Sequence, residues 1–184
     1  MVNPSNSTLH PQQHEDRTEL RDPIQICNDQ ARLARLLCPP NPAVGAVLTD
    51  ASGTVIGLGH TQQAGGAHAE IMALRDARAR GASTRGATAW VTLEPCSHHG
   101  RTGPCCNALI SAGIARVVAS IADPNPLVAG EGFARLRAAG VEVVVGPGAQ
   151  ESRELNLGFF SRMVRRVPWV RLKVAASLGG KTAL

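Results

Sequence analysis

The stretch from Ala87 to Gly146 limits the possible folds most. It alternates short apolar runs with helical segments: "ATAWVTL" (87–93), "PCCNALISAG" (104–113), "ARVVASIA" (115–122), "FARLRAAG" (133–140) and "VEVVVG" (141–146). The β-branched run at 115–122 reads as a buried strand, and glycines close the intervening helices. Upstream, Asp22-Pro23 offers an N-cap and an N1 proline, and Ile24, Cys27, Ala31 and Ala34 recur at helical steps. A helix is therefore predicted over 23–37, stopped by "CPPNP". Strands at 43–49 and 54–60, separated by Asp50–Gly53, form a hairpin. A further helix follows in "AHAEIMALRDARARG", and another is expected over about 149–165. This order predicts a three-layer α/β protein built on one central sheet.

Residues 1–21 are polar, without periodicity, and are expected to form a disordered tail. The C-terminal "PWVRLKVAASLGGKTAL" reads as one more strand and a stub. The chain has 184 residues, 43% of them apolar, enough for one domain with a core that needs no staples. No apolar run approaches the roughly 18 residues of a membrane span. The N-terminus lacks the apolar core of a secretory signal, so a cytoplasmic protein is expected.

The net charge of +5 is compatible with nucleic acid, a phosphorylated substrate or a solvated basic surface. With no tyrosine and only Phe133, Phe159, Phe160, Trp90 and Trp169, the chain is poor in base-stacking platforms, which argues against nucleic-acid binding. Its five cysteines are an odd set, arguing for buried thiols and metal or catalytic ones over a disulfide framework. Cys27 and Cys38 fall where core thiols belong.

The chemistry concentrates in His68, Glu70, Cys96 and Cys105. His68-Ala69-Glu70 opens a predicted helix, Cys96 follows a strand, and Cys105 starts the next helix. Two thiolates and an imidazole suit Zn²⁺ and leave one tetrahedral position for water. Helix N-termini favour thiolate over thiol. Glu70 lies two positions from His68, placed to exchange protons with that water. H-x-E followed by P-C-x-x-C is the layout of zinc-dependent base deaminases. Here Pro95-Cys96 is present, but the next cysteine stands nine positions on. Read from spacing alone, a structural zinc site with His98, His99 or Cys106 as fourth ligand, or a metal-free redox pair, stays open.

"NPAVGAVL", "HAEIMALRDA", "GATAWVTLEPCSHHGRTGPCCNALISAG" and "DPNPLVAGEG" together resemble the deaminase domain of the bifunctional riboflavin-biosynthesis deaminase/reductase. The resemblance covers about residues 23–184, and the insert "SHHGRTGP" between the cysteines separates this family from the C-x-x-C deaminases. It implies a three-layer α/β/α cytidine deaminase-like fold with one central mixed sheet. It further implies zinc held by His68, Cys96 and Cys105, and Glu70 as the proton shuttle. The family's substrate pocket maps to Asn41, His60, His98, Arg101, Asp123 and Asn125.

The implied reaction is hydrolytic deamination of 2,5-diamino-6-ribosylamino-4(3H)-pyrimidinone 5′-phosphate to 5-amino-6-ribosylaminouracil 5′-phosphate. A related deaminase acting on another aminopyrimidine or nucleoside, or a silent zinc-fold partner subunit, is the alternative. The domain is expected over 22–167, with 168–184 resembling the start of a reductase domain. There "ASLGGK" stands where the family has "ASLDGK", so Gly179 replaces an acid. Other departures are Gly103 and Ala67 in place of prolines, and a longer 60–68 loop. A homo-oligomer is expected, with any reductase carried outside this stretch.

Overall fold

The computed structural model of the chain describes residues 21–98, 103–126 and 128–182. The tail expected over residues 1–21 lies outside these apart from Arg21, and so does Arg101.

Helix α1 (Pro23–Ala34) starts where the Asp22 carboxylate accepts the N–H of Ile24 at 3.0 Å, with Pro23 at N1. It buries Ile24, Cys27, Ala31 and Ala34. The predicted extension to residue 37 is absent. The N–H of Leu37 turns back to the Ala34 carbonyl, and Leu36 and Leu37 face solvent ahead of the prolines. Strands β1 (Gly45–Thr49) and β2 (Val55–His60) form the hairpin. Its turn is held by Asp50, which accepts the N–H groups of Ser52 and Thr54 at 2.9 and 3.0 Å.

Strand β3 (Thr88–Val91) runs antiparallel to β1 on its other side; β4 (Arg116–Ala119) and β5 (Glu142–Val145) continue parallel to β3. The five-stranded order β2-β1-β3-β4-β5 makes the sheet mixed. On one face Ala46, Leu48, Ala89, Val91, Val117 and Ala119 pack against helices α2 (Ala69–Ala79), α3 (Cys105–Ser111) and α4 (Glu131–Ala138). On the other, Val47 meets Ile24 and Cys27, with Leu58 and Trp90 at the margin. Helix α5 (Ala149–Leu155) lies beside α1. The result is the three-layer α/β/α architecture expected.

Two close approaches fix α2, the helix that carries the H-x-E motif. A Cβ built on Gly59 would stand 2.2 Å from the carbonyl oxygen of Ala69, and one on Gly57 would stand 2.4 Å from that of Ala73. Ala69, Ala73 and Ala77 are fully buried against these glycines. Backbone thus lies on backbone, a spacing that larger side chains on either side would prevent.

The helix predicted over 149–165 is broken into α5, α6 (Leu157–Phe160) and a π-helical turn, Ser161–Arg165. The break is at Asn156. Its side chain accepts the Ala43 N–H at 2.7 Å and donates to the carbonyls of Ala43 and Ser152 at 3.0 and 3.1 Å. A buried asparagine with its amide committed to another segment leaves the helical path, which periodicity alone does not reveal.

Residues 168–176 join no strand among the described residues, contrary to the strand expected in this stretch. Val170, Leu172 and Val174 are exposed there. An alternating run becomes a strand only when a sheet edge supplies hydrogen-bond partners.

Candidate metal centre and substrate cavity

Three connections bring ligand atoms to one point near the carboxyl end of β3. His68 is the N-cap of α2, in extended conformation (φ −75°, ψ 164°), and its side chain does not cap the helix. Cys96 leaves β3 through a buried turn, and Cys105 opens α3. The Nδ1 of His68 lies 3.5 Å from the Sγ of Cys96 and 3.3 Å from the Sγ of Cys105. All three ligand atoms fall within 4.8 Å of one another.

Tetrahedral zinc, with its ordinary bond lengths to sulfur and imidazole nitrogen, requires a nitrogen–sulfur separation of about 3.5 Å. The donor set therefore fits the ion in type and in spacing. Cys106 does not join it. Its thiol donates to the Pro95 carbonyl at 3.1 Å, and burial pushes its pKa up to about 12. His98 is exposed, and His99 lies outside the described residues. Among the described residues the group has three members, which is the open arrangement of a catalytic site.

The charges follow from the contacts. The hydrogen bond from the Cys105 side chain, with help from His68 and the Cys105 N–H, lowers the pKa of Cys96. Cys105 is pushed far up by its bond to Cys96 and by burial. The hydrogen bond to Cys96 raises the pKa of His68. Glu70 is only 4% exposed, and burial raises its pKa, with the negative Cys96 adding to the shift. Cys27 and Cys38 are the buried thiols expected. Cys27 donates to the Trp90 carbonyl at 3.1 Å, and Cys38 donates to the Asn41 carbonyl at 3.3 Å, tying down the Asn41 turn.

Beside these ligands lies a cavity of about 260 Å³. His68, Glu70 and Cys96 form part of its wall, and Asn41, His98, Asp123 and Asn125 join them there. Asp123 follows β4 and accepts the Asn125 N–H at 2.8 Å; burial raises its pKa. His60 is not brought to this wall. It ends β2 with its Nδ1 3.2 Å from the Oε1 of Gln30, and the neighbouring Thr61 lines the cavity instead. Arg101 lies outside the described residues.

Sequence reasoning passed over Glu94. It lines the cavity, is 6% exposed, and takes four backbone N–H groups on its carboxylate. The only sequence signal is an acid between a buried strand and Pro95-Cys96. Phe159 and Met163 also reach the wall, from the segment beyond the Asn156 break.

A mixed sheet with a His/Cys/Cys triad and a buried glutamate on the same cavity wall as two of its members defines a class of metal-dependent hydrolase. Residues 18–121 match the cytidine and deoxycytidylate deaminase zinc-binding region, and the chain belongs to this family. Zinc is accordingly its metal. Within that class the chain is similar to riboflavin-biosynthesis proteins. It is 53% identical over 154 residues to the riboflavin biosynthesis protein RibD of Escherichia coli, covering 84% of this chain and 41% of that protein. It is 51% identical over 144 residues to RibD of Aquifex aeolicus, covering 78% and 39%.

The solved structure of Acinetobacter baumannii RibD superposes with a TM-score of 0.82 at 45% identity, over 88% of this chain and 44% of that one. A Thermotoga maritima diaminohydroxyphosphoribosylaminopyrimidine deaminase/5-amino-6-(5-phosphoribosylamino)uracil reductase superposes with a TM-score of 0.82 at 38% identity, over 87% and 47%. The chain thus spans less than half the length of these relatives. Among the described residues no helix is long and apolar enough to cross a membrane.

Proposed function

We propose that this chain is the deaminase of riboflavin biosynthesis, acting on 2,5-diamino-6-ribosylamino-4(3H)-pyrimidinone 5′-phosphate. The observation that carries the reading is the grouping of His68, Cys96 and Cys105, with His68, Cys96 and the buried Glu70 on one cavity wall. The likeness to RibD proteins over most of this chain supports the substrate assignment.

Bound zinc supplies a lowered pKa for water at the open position. His68, Cys96 and Cys105 hold the metal, and the two thiols balance its charge once deprotonated. Glu70, with its raised pKa, is suited to take a proton from water and pass it to the ring nitrogen, then to take the second proton from the hydroxyl added to the ring carbon and pass it to the amine, which leaves as ammonia. Asn41, Asp123 and Asn125 offer polar groups to the ring and ribose. We assign the phosphate to Arg101 in the insert after Cys96, a guanidinium suited to bidentate contact with phosphate oxygens. We assign 22–167 as the deaminase unit and 168–184 as the start of the segment leading to a reductase. The Thermotoga relative, described as a deaminase/reductase, supports this division. A homo-oligomer and a cytoplasmic location complete the proposal.

The test is ammonia release by zinc-loaded protein given the pyrimidine ribosyl phosphate, with cytidine and adenosine as controls. Release from the phosphate alone is expected. Zinc bound without turnover on it would sink the substrate assignment.

A further inference from the structure

We propose that Glu94 is a positioning residue, whose carboxylate clamps the segment 123–133 so that Asp123 and Asn125 face the substrate beside Cys96. The substrate side of this inference rests on the proposed function; the clamp itself rests on geometry.

The backbone of Glu94 extends the β3–β4 pairing, donating its N–H to the Ile121 carbonyl at 2.9 Å. Its side chain then crosses to the segment that follows β4. Oε2 accepts the N–H groups of Asp123 at 3.0 Å and Gly130 at 2.9 Å; Oε1 accepts those of Gly132 at 2.9 Å and Phe133 at 3.3 Å. One buried carboxylate therefore fastens both ends of the loop that contains Asn125. Three of its donors belong to the N-cap and first turn of α4, where Gly130 has no side chain with which to cap.

The contact is close at the backbone as well. A Cβ on Gly132 would stand 2.1 Å from the Pro95 carbonyl oxygen. Two residues beyond Glu94 the chain delivers Cys96, so one short segment sets both the metal ligand and the facing polar loop.

The chemistry demands an acid. Four N–H donors need acceptors on both arms, and a glutamine would turn an NH₂ group against two of them. Glutamine has nearly the same shape, so Glu94→Gln tests the clamp with little change in packing. Zinc content should match the wild type, because no ligand is touched. A crystal structure of the variant should show Asp123 and Asn125 displaced from the cavity. KM for the pyrimidine phosphate should rise roughly tenfold or more, with kcat within about threefold of the wild type. Glu94→Asp keeps the charge but is one methylene short, and should give an intermediate KM.

An unmoved loop in the Glu94→Gln crystal structure overturns the proposal. So does a displaced loop with unchanged KM, or a fall in kcat or zinc content with KM unchanged, which would place the role at the metal centre. Wild-type protein without turnover on this phosphate removes the substrate assignment alone, and the position of the loop in the variant structure then decides the clamp.

Discussion

The backbone N–H of Cys105 points at the sulfur of Cys96, 3.3 Å away, so the residue that supplies one ligand also supports the charge on the other. That N–H, the Cys105 thiol and the His68 imidazole together favour the ionised form of the Cys96 sulfur. Cys96→Ala removes the ligand that bears this charge. The variant should purify with less than about a tenth of the wild-type zinc, since two protein ligands rarely retain the ion. Metal analysis after dialysis checks this; full zinc occupancy would remove Cys96 from the ligand set.

Glu70 is held in a setting that disfavours its charge. Burial and the neighbouring Cys96 disfavour its ionised form in the folded protein. Glu70→Gln should keep zinc and lower kcat by a factor of roughly 100 to 10,000, the usual range for a lost general acid–base group. Its melting temperature in the metal-free state should equal or exceed that of the wild type, because a neutral amide is cheaper to bury. Paired ammonia-release and melting measurements read both. Wild-type turnover by this variant would rule Glu70 out as the proton shuttle.

Much of this was legible from spacing. Short apolar runs between turns and helical spacing locate the five described strands and α1 to α5, and H-x-E with Pro95-Cys96 and Cys105 marks the metal group. The places that sequence does not reveal share a physical cause. Asn156 breaks its helix because Ala43, over a hundred positions away, takes its amide. Glu94 looks like an ordinary acid until the backbone donors of 123–133 surround it. Residues 168–176 alternate like a strand but pair with no sheet edge among the described residues. In each case a partner remote in sequence decides the outcome.

The backbone contact between β2 and α2 gives a remote test of the metal centre. A methyl group at Gly59 would press on the Ala69 carbonyl oxygen and stand 2.4 Å from the Ala73 nitrogen, against the first turn of α2, which carries Glu70 and follows His68. Gly59→Ala should move α2 off the sheet, costing about 1–3 kcal/mol as overpacking does. Because His68 stands at the N-cap position of that helix, zinc affinity should fall with stability. A chelator competition and a melting curve measure the two. A destabilised variant with unchanged zinc affinity would show that α2 can shift without carrying His68.

Asp76 provides a pH-dependent tie in the same region. Its Oδ2 accepts the Leu58 N–H at 2.8 Å and the Arg80 Nε at 3.0 Å, joining α2 to β2. The Arg80 hydrogen bond, with the Leu58 N–H behind it, holds the Asp76 pKa below its ordinary 3.8. A depressed folded-state pKa means that the ionised form stabilises the fold. That contribution is fully present above 3.8 and is lost as the pH falls through the lower folded-state value. Asp76→Asn should therefore cost about 1 kcal/mol at neutral pH, where a charge-assisted bond to backbone is lost. The cost should shrink in acid, because the wild-type carboxyl is then protonated too. Urea unfolding midpoints of the two metal-free proteins, followed from neutral pH to below 3.8, measure the difference. A gap that stays constant across that range would mean that the charge of Asp76 contributes nothing to holding α2 on the sheet.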